Sequence, residues 1–521
     1  MNTIDYDKDN NRIVIDTDWN QDNLKKLNNV ATARYSMADR TWSVAPEMAF
    51  YVADTFYKLK KTTAFLELIA SNITPTALSE EETLENYLNS SFGTKKLFEH
   101  QKEGVRFQLD RKKTIIAADM GTGKTLMALA AVKTLNLPVH VIAPVSLHEN
   151  WRRDAEEAGV VIEKINSSSN VEAPPDHEIA LIVDECHYFQ NEKSNRTKQF
   201  LSYVDKASFL SLLSGTPIKN GRPSNLYPLL LAIRHPLVQN KAFYINRYCR
   251  VKRVKGQKKA VTTGGSNLIE LHNFIKDSLF IKTKKECLDL PEKLRILRVA
   301  EPTDQEQGMF DFVFKVLRAR YEERIKTGKI KESNEALNIL GAVRHAASWA
   351  KISTATTIVK ELIQEDRPVV LFMNYKDSSE ALMSELEGLT SCAVLSSRVP
   401  ADKRDKVIQD FQAGKYKVLI ATYGTGGVGV TLTAASDVIL VDRPWTSCDA
   451  LQAEDRCHRI GTTENVTALW IQNFNVDRMI DNILIEKQKN INEIMTGKRD
   501  TLEFNDNVSS QAEEILANIF A

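Results

Sequence analysis

The stretch Ile115-Ile-Ala-Ala-Asp-Met-Gly-Thr-Gly-Lys-Thr125 joins an apolar run to a glycine turn and then to the start of a helical pattern. That layout is a phosphate-binding loop. Gly121 and Gly123 let the backbone N–H groups from Met120 through Thr122 to Lys124 approach an anion closely. Lys124 offers a point charge to β- and γ-phosphates, and Thr125 a hydroxyl to magnesium. ATP and magnesium are therefore the expected ligands. The full pattern has glycine at position 118, where this chain has Ala118. Further on, Leu181-Ile-Val-Asp-Glu-Cys-His187 ends an apolar run in two acids. Asp184 is placed to hold magnesium, and Glu185 to orient and deprotonate an attacking water. Phosphoryl transfer needs both jobs done around the γ-phosphate. Cys186 reads as a packing residue, and His187 as either a coupling group or merely a polar one. A third constellation is Leu451-Gln-Ala-Glu-Asp-Arg-Cys-His-Arg-Ile-Gly461. Arg456 and Arg459, three apart, would share one face of a helix. Two guanidiniums so placed would stabilise charge on a transferring phosphate as arginine fingers.

These residues need elements to hold them. Short β-rich apolar runs at 114–118, 139–143, 179–183 and 209–213 alternate with helical stretches such as 126–135 and 147–158. A second series begins after a helical, charged region at 236–350. It has strands at 369–373, 393–395, 418–421, 438–441 and 469–471, with helices at 377–386 and 401–411. The fold class is α/β: two parallel-sheet lobes, with ligands at the carboxyl ends of the strands. Residues 1–60 look like a smaller unit, with strands at 12–16 and 42–44.

The chain has 521 residues, too many for one hydrophobic core. Hydrophobic content of 43% and charged content of 26% are those of a globular protein, and no window approaches a membrane span. The six cysteines are scattered without a Cys-x-x-Cys, which excludes a zinc ribbon and points to a reducing compartment. A net charge of +1 leaves no global field for a polyanion, so contacts must be local. The densest basic run, Arg250-Val-Lys-Arg-Val-Lys-Gly-Gln-Lys-Lys259, is either such a patch, through Lys252 and Arg253, or a solvated hairpin.

Taken together the motifs resemble the switch/sucrose-nonfermenting (Swi/Snf-type) branch of superfamily-two helicases. Asp-Met-Gly-Thr-Gly-Lys-Thr, Asp-Glu-Cys-His, Leu213-Ser-Gly-Thr-Pro217 and Gln-Ala-x-x-Arg-x-His-Arg-Ile-Gly stand in that family's order. So do Ala143-Pro-Val-Ser-Leu-x-x-Asn-Trp151, Gly426-Gly-Val-Gly429, Gly265-Ser-Asn-Leu-Ile-Glu-Leu271 and Leu290-Pro-Glu-Lys293. The resemblance implies two RecA-like lobes, with ATP hydrolysed in the cleft between them and movement along duplex DNA. It implies that Gln101 reads adenine and that Ser214 and Thr216 couple hydrolysis to lobe motion. Ser146, Thr422 and Gly427 would lie near the nucleic-acid backbone or the cleft. Gln452, with Arg456 and Arg459, would complete the ATP site. The chain departs from the family at Ile281-Lys-Thr-Lys, where a pair of arginines is usual, and at Thr462 and Leu395-Ser-Ser.

The segment from Leu24 to Val44, through Ala33-Arg-Tyr35 and Trp42, looks like the HARP-type accessory domain of annealing helicases. There Arg34 and Arg40 offer phosphate contacts, and Tyr35 a stacking face. Trp42, in an alternating strand, reads first as core. The expected organisation is an accessory α+β domain at 1–70, a linker at 71–95, and a first lobe at 96–300 with an insertion at about 236–300. A second lobe follows at 301–475, then a brace helix and tail at 476–521. The expected function is an ATP-dependent translocase on double-stranded or branched DNA that remodels by annealing, fork regression or branch migration. One alternative is a motor that displaces DNA-bound protein, such as a polymerase; another is a nucleotide switch without turnover. A monomer is expected, in the cytoplasm of a bacterium or of a virus's bacterial host. Its partners would be replication, recombination or single-strand-binding proteins.

Overall fold

The computed structural model describes residues 3–17, 33–46, 59–73, 84–252, 261–327, 335–426 and 430–499, with isolated positions between 23 and 56. It divides into two compact units, Met1–Cys287 with Asn490–Arg499, and Leu288–Lys489 with Asp500–Ala521.

The first unit opens on a five-stranded sheet in the order Arg34–Ser36, Thr41–Val44, Arg12–Asp16, Thr3–Asp7, Lys60–Lys61. Alternation makes Arg12–Asp16 a strand: Ile13 and Ile15 are fully buried while their neighbours face outward. Helix Thr63–Ile73 covers the sheet, and Phe65 joins Ile4, Ile13, Ile15 and Val44 in one core. Trp42 packs against that core and lies 5.3 Å from the Tyr35 ring, while Arg34 is exposed on the edge strand.

Residues 71–95 are not the plain linker that their polarity suggests. Helix Leu84–Asn89 and the hairpin Ser91–Phe92 with Lys95–Lys96 occupy the end of that span. Tyr87, Leu88 and Phe92 are buried, and the Tyr87 hydroxyl donates to Ala130 O at 2.6 Å. Three apolar side chains spaced among polar ones are enough to seat the segment.

The first lobe's sheet has the order Ile162–Ser167, Val139–Ala143, Ile179–Val183, Ala207–Leu213, Lys113–Ile116, Leu279–Phe280, with every pair parallel. Val139–Ala143 and Ile179–Val183 are buried at every residue. Strands covered on both faces read as unbroken apolar runs, which is why they were legible.

The second unit repeats the arrangement in the order Lys293–Val299, Val466–Gln472, Asp437–Leu440, Val369–Met373, Val418–Thr422, Cys392–Leu395, again all parallel. The expected boundary at 300/301 is corrected here. Lys293–Val299 pairs along its whole length with Val466–Gln472, so the second unit begins at Leu288. The strand escapes a hydrophobicity reading because it is an edge, with Leu294, Leu297 and Val299 exposed. Its anchoring is electrostatic. Arg295 Nε and Nη2 grip the fully buried Glu454 carboxylate at 2.7–3.0 Å, Lys293 Nζ lies 3.1 Å from it, and Trp470 Nε1 donates at 3.0 Å. Burial pushes the Glu454 carboxyl up, but the Lys293 and Arg295 charges outweigh it and hold the group below its usual range.

The helical region contains Asp304–Lys326, Glu335–Trp349 and Ile352–Gln364, all in the second unit. The expected C-terminal helix is Phe474–Thr496; it belongs to the second unit up to Lys489 and to the first from Asn490. The tail beyond 499 lies outside the described residues.

Removing one partner of a buried charge pair costs about 3–5 kcal/mol. Glu454→Ala is therefore expected to lower the melting temperature of the second unit in calorimetry and to loosen its edge strand. Unchanged hydrogen exchange along 293–299 would contradict this.

Candidate nucleotide site

Because the first sheet is parallel, the loops after 116, 143, 183 and 213 leave from one end. Asp184 N donates to Ile142 O at 2.8 Å and Ser214 N to Ile116 O at 3.1 Å, which ties two of these loops to neighbouring strands. The phosphate loop runs into helix Lys124–Lys133, and Gly121 and Gly123 both have φ of +81°. An added Cβ on Gly123 would meet Gln101 Nε2 at 2.1 Å, and one on Gly215 would meet Met120 Cγ at 2.9 Å. Gly123 is required by its left-handed backbone, and at both positions a side chain would press on a neighbouring side chain. Lys124 Nζ donates to Ala118 O and Asp119 O at 2.8 and 2.9 Å, which curls the loop around the ammonium. Asp119 is fixed in turn: its N–H donates to Lys282 O, and Lys284 N donates to its carboxylate, both at 2.9 Å. The departure noted at Ile281-Lys-Thr-Lys is therefore a backbone brace for the loop.

Gln101 is buried against the same loop. Its amide donates to Thr122 O at 3.1 Å and its oxygen accepts from Phe98 N at 3.0 Å. His100 Nε2 meets Thr122 O at 2.9 Å, and the half-exposed Phe98 ring stacks on the His100 ring at 5.8 Å. Phe98 supplies a flat apolar face beside Gln101 that sequence reasoning does not single out.

The acids end strand Ile179–Val183. Asp184 Oδ2 accepts from Trp151 Nε1 at 2.9 Å, and Oδ1 from Glu185 N at 2.9 Å. Burial pushes the Asp184 carboxyl up to about 6, the Glu185 charge adds to this, and the Trp151 bond and Lys124 charge oppose it. Glu185 sits in the left-handed region at φ 49°, a conformation uncommon for a non-glycine residue. Its carboxylate lies 3.1 Å from His187 Nδ1, which also lies 3.3 Å from Ser214 Oγ. Ser214 Oγ then accepts from Thr216 N at 3.1 Å. A contiguous path thus runs from Glu185 through His187 to Ser214 and Thr216, joining residues that the sequence left unconnected. Cys186 is fully buried, and burial pushes its thiol well up, which suits a packing residue.

These residues fit a magnesium nucleotide. Asp184 and the Thr125 hydroxyl offer hard oxygen donors, and Gly121 and Gly123 hold the loop in the left-handed backbone that turns its N–H groups toward an anion. Ser146 is exposed in the turn Val145–Leu147, at the same end of the sheet.

The second unit holds the other candidates. Gln452 is buried in helix Ser447–Glu454, and Thr422 is the buried last residue of strand Val418–Thr422. Arg456 and Arg459 do not share a helical face. The helix stops at Glu454, and the chain continues in turns in which Arg456 N donates to Ala453 O. Thr462 holds the later turns: its hydroxyl accepts from Arg459 N and donates to Cys457 O at 3.1 and 2.7 Å. Arg456 is buried and reaches Val430 O, while Arg459 reaches Asp455 O and the Thr431 hydroxyl. The same unit holds a charged cluster that sequence reasoning missed. Lys351 Nζ lies 3.4 Å from Asp442 and 3.2 Å from Asp477, and Arg443 pairs with Asp481, all of them buried. Gly427, Arg253 and the Lys252 side chain lie outside the described residues.

Residues 152–350 match the SNF2-related domain, and residues 351–461 the helicase conserved C-terminal domain. A Caenorhabditis elegans homolog of SWI/SNF-related matrix-associated actin-dependent regulator of chromatin subfamily A-like protein 1 is 27% identical, covering 85% of this chain and 69% of its own. The mouse DNA annealing helicase and endonuclease ZRANB3 is 28% identical, covering 82% and 43%. The uncharacterized ATP-dependent helicase MG018 of Mycoplasma genitalium is 26% identical, covering 88% and 47%. This chain spans about half the length of most of the curated relatives it matches.

Asp184 binds its proton more tightly folded, at about 6, than unfolded, at 3.8. The wild-type fold therefore loses stability as pH rises from about 4 to about 6. Asp184→Asn lacks this term. Its melting temperature relative to wild type is expected to climb over that window, while its ATPase is lost. A difference flat with pH would show that the carboxyl is not buried as described.

Proposed function

We propose that this chain, which carries the paired domains of the Swi/Snf-type helicase-like ATPases and belongs to that family, hydrolyses ATP in response to DNA and moves along duplex to remodel branched structures. The observation that carries the reading is the meeting of phosphate loop and acid pair at one end of a parallel sheet, with a relay from Glu185 to Ser214. Lys124 and the loop N–H groups would hold the phosphates, with Gln101 and Phe98 set at the base. Thr125 and Asp184 would hold magnesium, which when bound neutralises phosphate charge. Glu185 would take the proton of the attacking water, and its contact with His187 would report its state to Ser214 and Thr216. Arg456 and Arg459 are proposed as the cations that stabilise the transferring phosphate, as part of a turn held by Thr462 rather than as a helical pair. No described helix is long and apolar enough to cross a membrane.

The DNA reading draws on the family, on the annealing activity named for the mouse relative, and on the N-terminal sheet. Arg34 and Arg40 are exposed cations on it, whereas Tyr35 and Trp42 face each other and serve its packing. Ser146 and Thr422 would lie along the DNA track.

The test is ATPase activity titrated with linear duplex, single-stranded and forked DNA. Stimulation by duplex, and most strongly by forks, is expected; stimulation by none would contradict the proposal. Deleting residues 1–83 stops short of Tyr87 and Phe92 and is expected to spare basal ATPase while removing the preference for forks. Clearance of a bound protein from linear duplex without strand rearrangement would favour the protein-displacing motor instead.

A further inference from the structure

We propose that His140, Glu163 and His177 form a binding site for a divalent transition-metal ion of the zinc class, at the end of the first lobe's sheet remote from the phosphate loop. Their ligand atoms all lie within 4.8 Å of one another. His140 Nε2 is 3.2 Å from Glu163 Oε1, and His177 Nε2 is 3.5 Å from that same oxygen. Ligands bound at about 2.0–2.1 Å around a tetrahedral ion stand about 3.3 Å apart, so small side-chain rotations suffice. Two imidazoles and one carboxylate are the ligand set of open zinc sites, with a fourth position left for water.

Three features show a built site and not a chance meeting. First, His140 is a buried imidazole inside the otherwise apolar strand Val139–Ala143. An apolar strand has no packing use for a histidine that a valine would not serve better. Second, the register between Val139–Ala143 and Ile162–Ser167 slips between Ile162 and Lys164, and Glu163 is the extra residue. Bulges of this kind re-aim a side chain beside a site. Third, the other nitrogen of His140 is already oriented. Nδ1 lies 2.6 Å from the Tyr203 hydroxyl, which itself accepts from Asn166 Nδ2 at 3.1 Å. A hydrogen-bonded partner on the second ring nitrogen fixes the tautomer and aim of a ligating histidine. The ion would clip the edge strand Ile162–Ser167 to its neighbour and to the loop that enters strand Ile179–Val183.

The full chain, stripped with EDTA and then titrated with zinc by calorimetry without nucleotide, is expected to bind one ion per chain and to rise in melting temperature. Cobalt in place of zinc should give the visible absorption of a tetrahedral site. His177 and Glu163 are both well exposed, so H177A and E163Q should fold and keep DNA-stimulated ATPase while losing the bound ion. Y203F should bind roughly 10–100-fold more weakly. No one-to-one binding would overturn the proposal. So would wild-type affinity in H177A, which would place the ion elsewhere, for instance on the acids at 184–185.

Discussion

Burying the Asp184 carboxylate is unfavourable, and the first lobe is organised around making it tolerable. Half-buried at the end of a fully apolar strand, this acid is solvated less well than in water, and its proton is held up to about 6. The indole N–H of Trp151, the amide of Glu185 and the charge of Lys124 each stabilise the ionised form. Those groups come from helix His148–Ala158, from the residue that follows Asp184, and from the first residue of helix Lys124–Lys133. Only a parallel sheet, whose strands all end on one side, can bring them together. A carboxyl poised near neutrality is also one that a divalent cation can recruit.

The second unit shows the same physics put to a structural use. Glu454 with Lys293 and Arg295, and Asp442 and Asp477 with Lys351, are buried charges matched by opposite charges. Such pairs add little net stability over apolar packing but tolerate no loss of a partner. They fix the edge strand Lys293–Val299 and the turn after Glu454 in one arrangement. That turn carries Arg456 and Arg459, so the position of these cations is set by a salt bridge rather than by helical periodicity.

How much could be read in advance follows from these constraints. Strands such as Ile179–Val183 and Val369–Met373 lie in the chain as unbroken apolar runs, buried at every residue. The phosphate loop and acid pair were legible because chemistry dictates their residue types. What escaped was held by other forces. Lys293–Val299 is an edge strand with exposed leucines. Residues 84–96 bind by three apolar side chains in a polar span. Trp151 looks like ordinary core until its indole N–H is seen on Asp184. The turns after Glu454 that carry Arg456 and Arg459 are held by Thr462, which lies outside any helical pattern.

The measurement closest to the central claim compares ATP binding and turnover in Glu185→Gln with wild type, in the presence of duplex DNA. The amide keeps the shape of the site and removes the base. The account predicts ATP bound with near-wild-type affinity and steady-state hydrolysis reduced by roughly 10²–10⁴-fold, the usual contribution of a positioned general base. Turnover in this variant equal to wild type would contradict it, because the acid pair at 184–185 would then not be where ATP is hydrolysed.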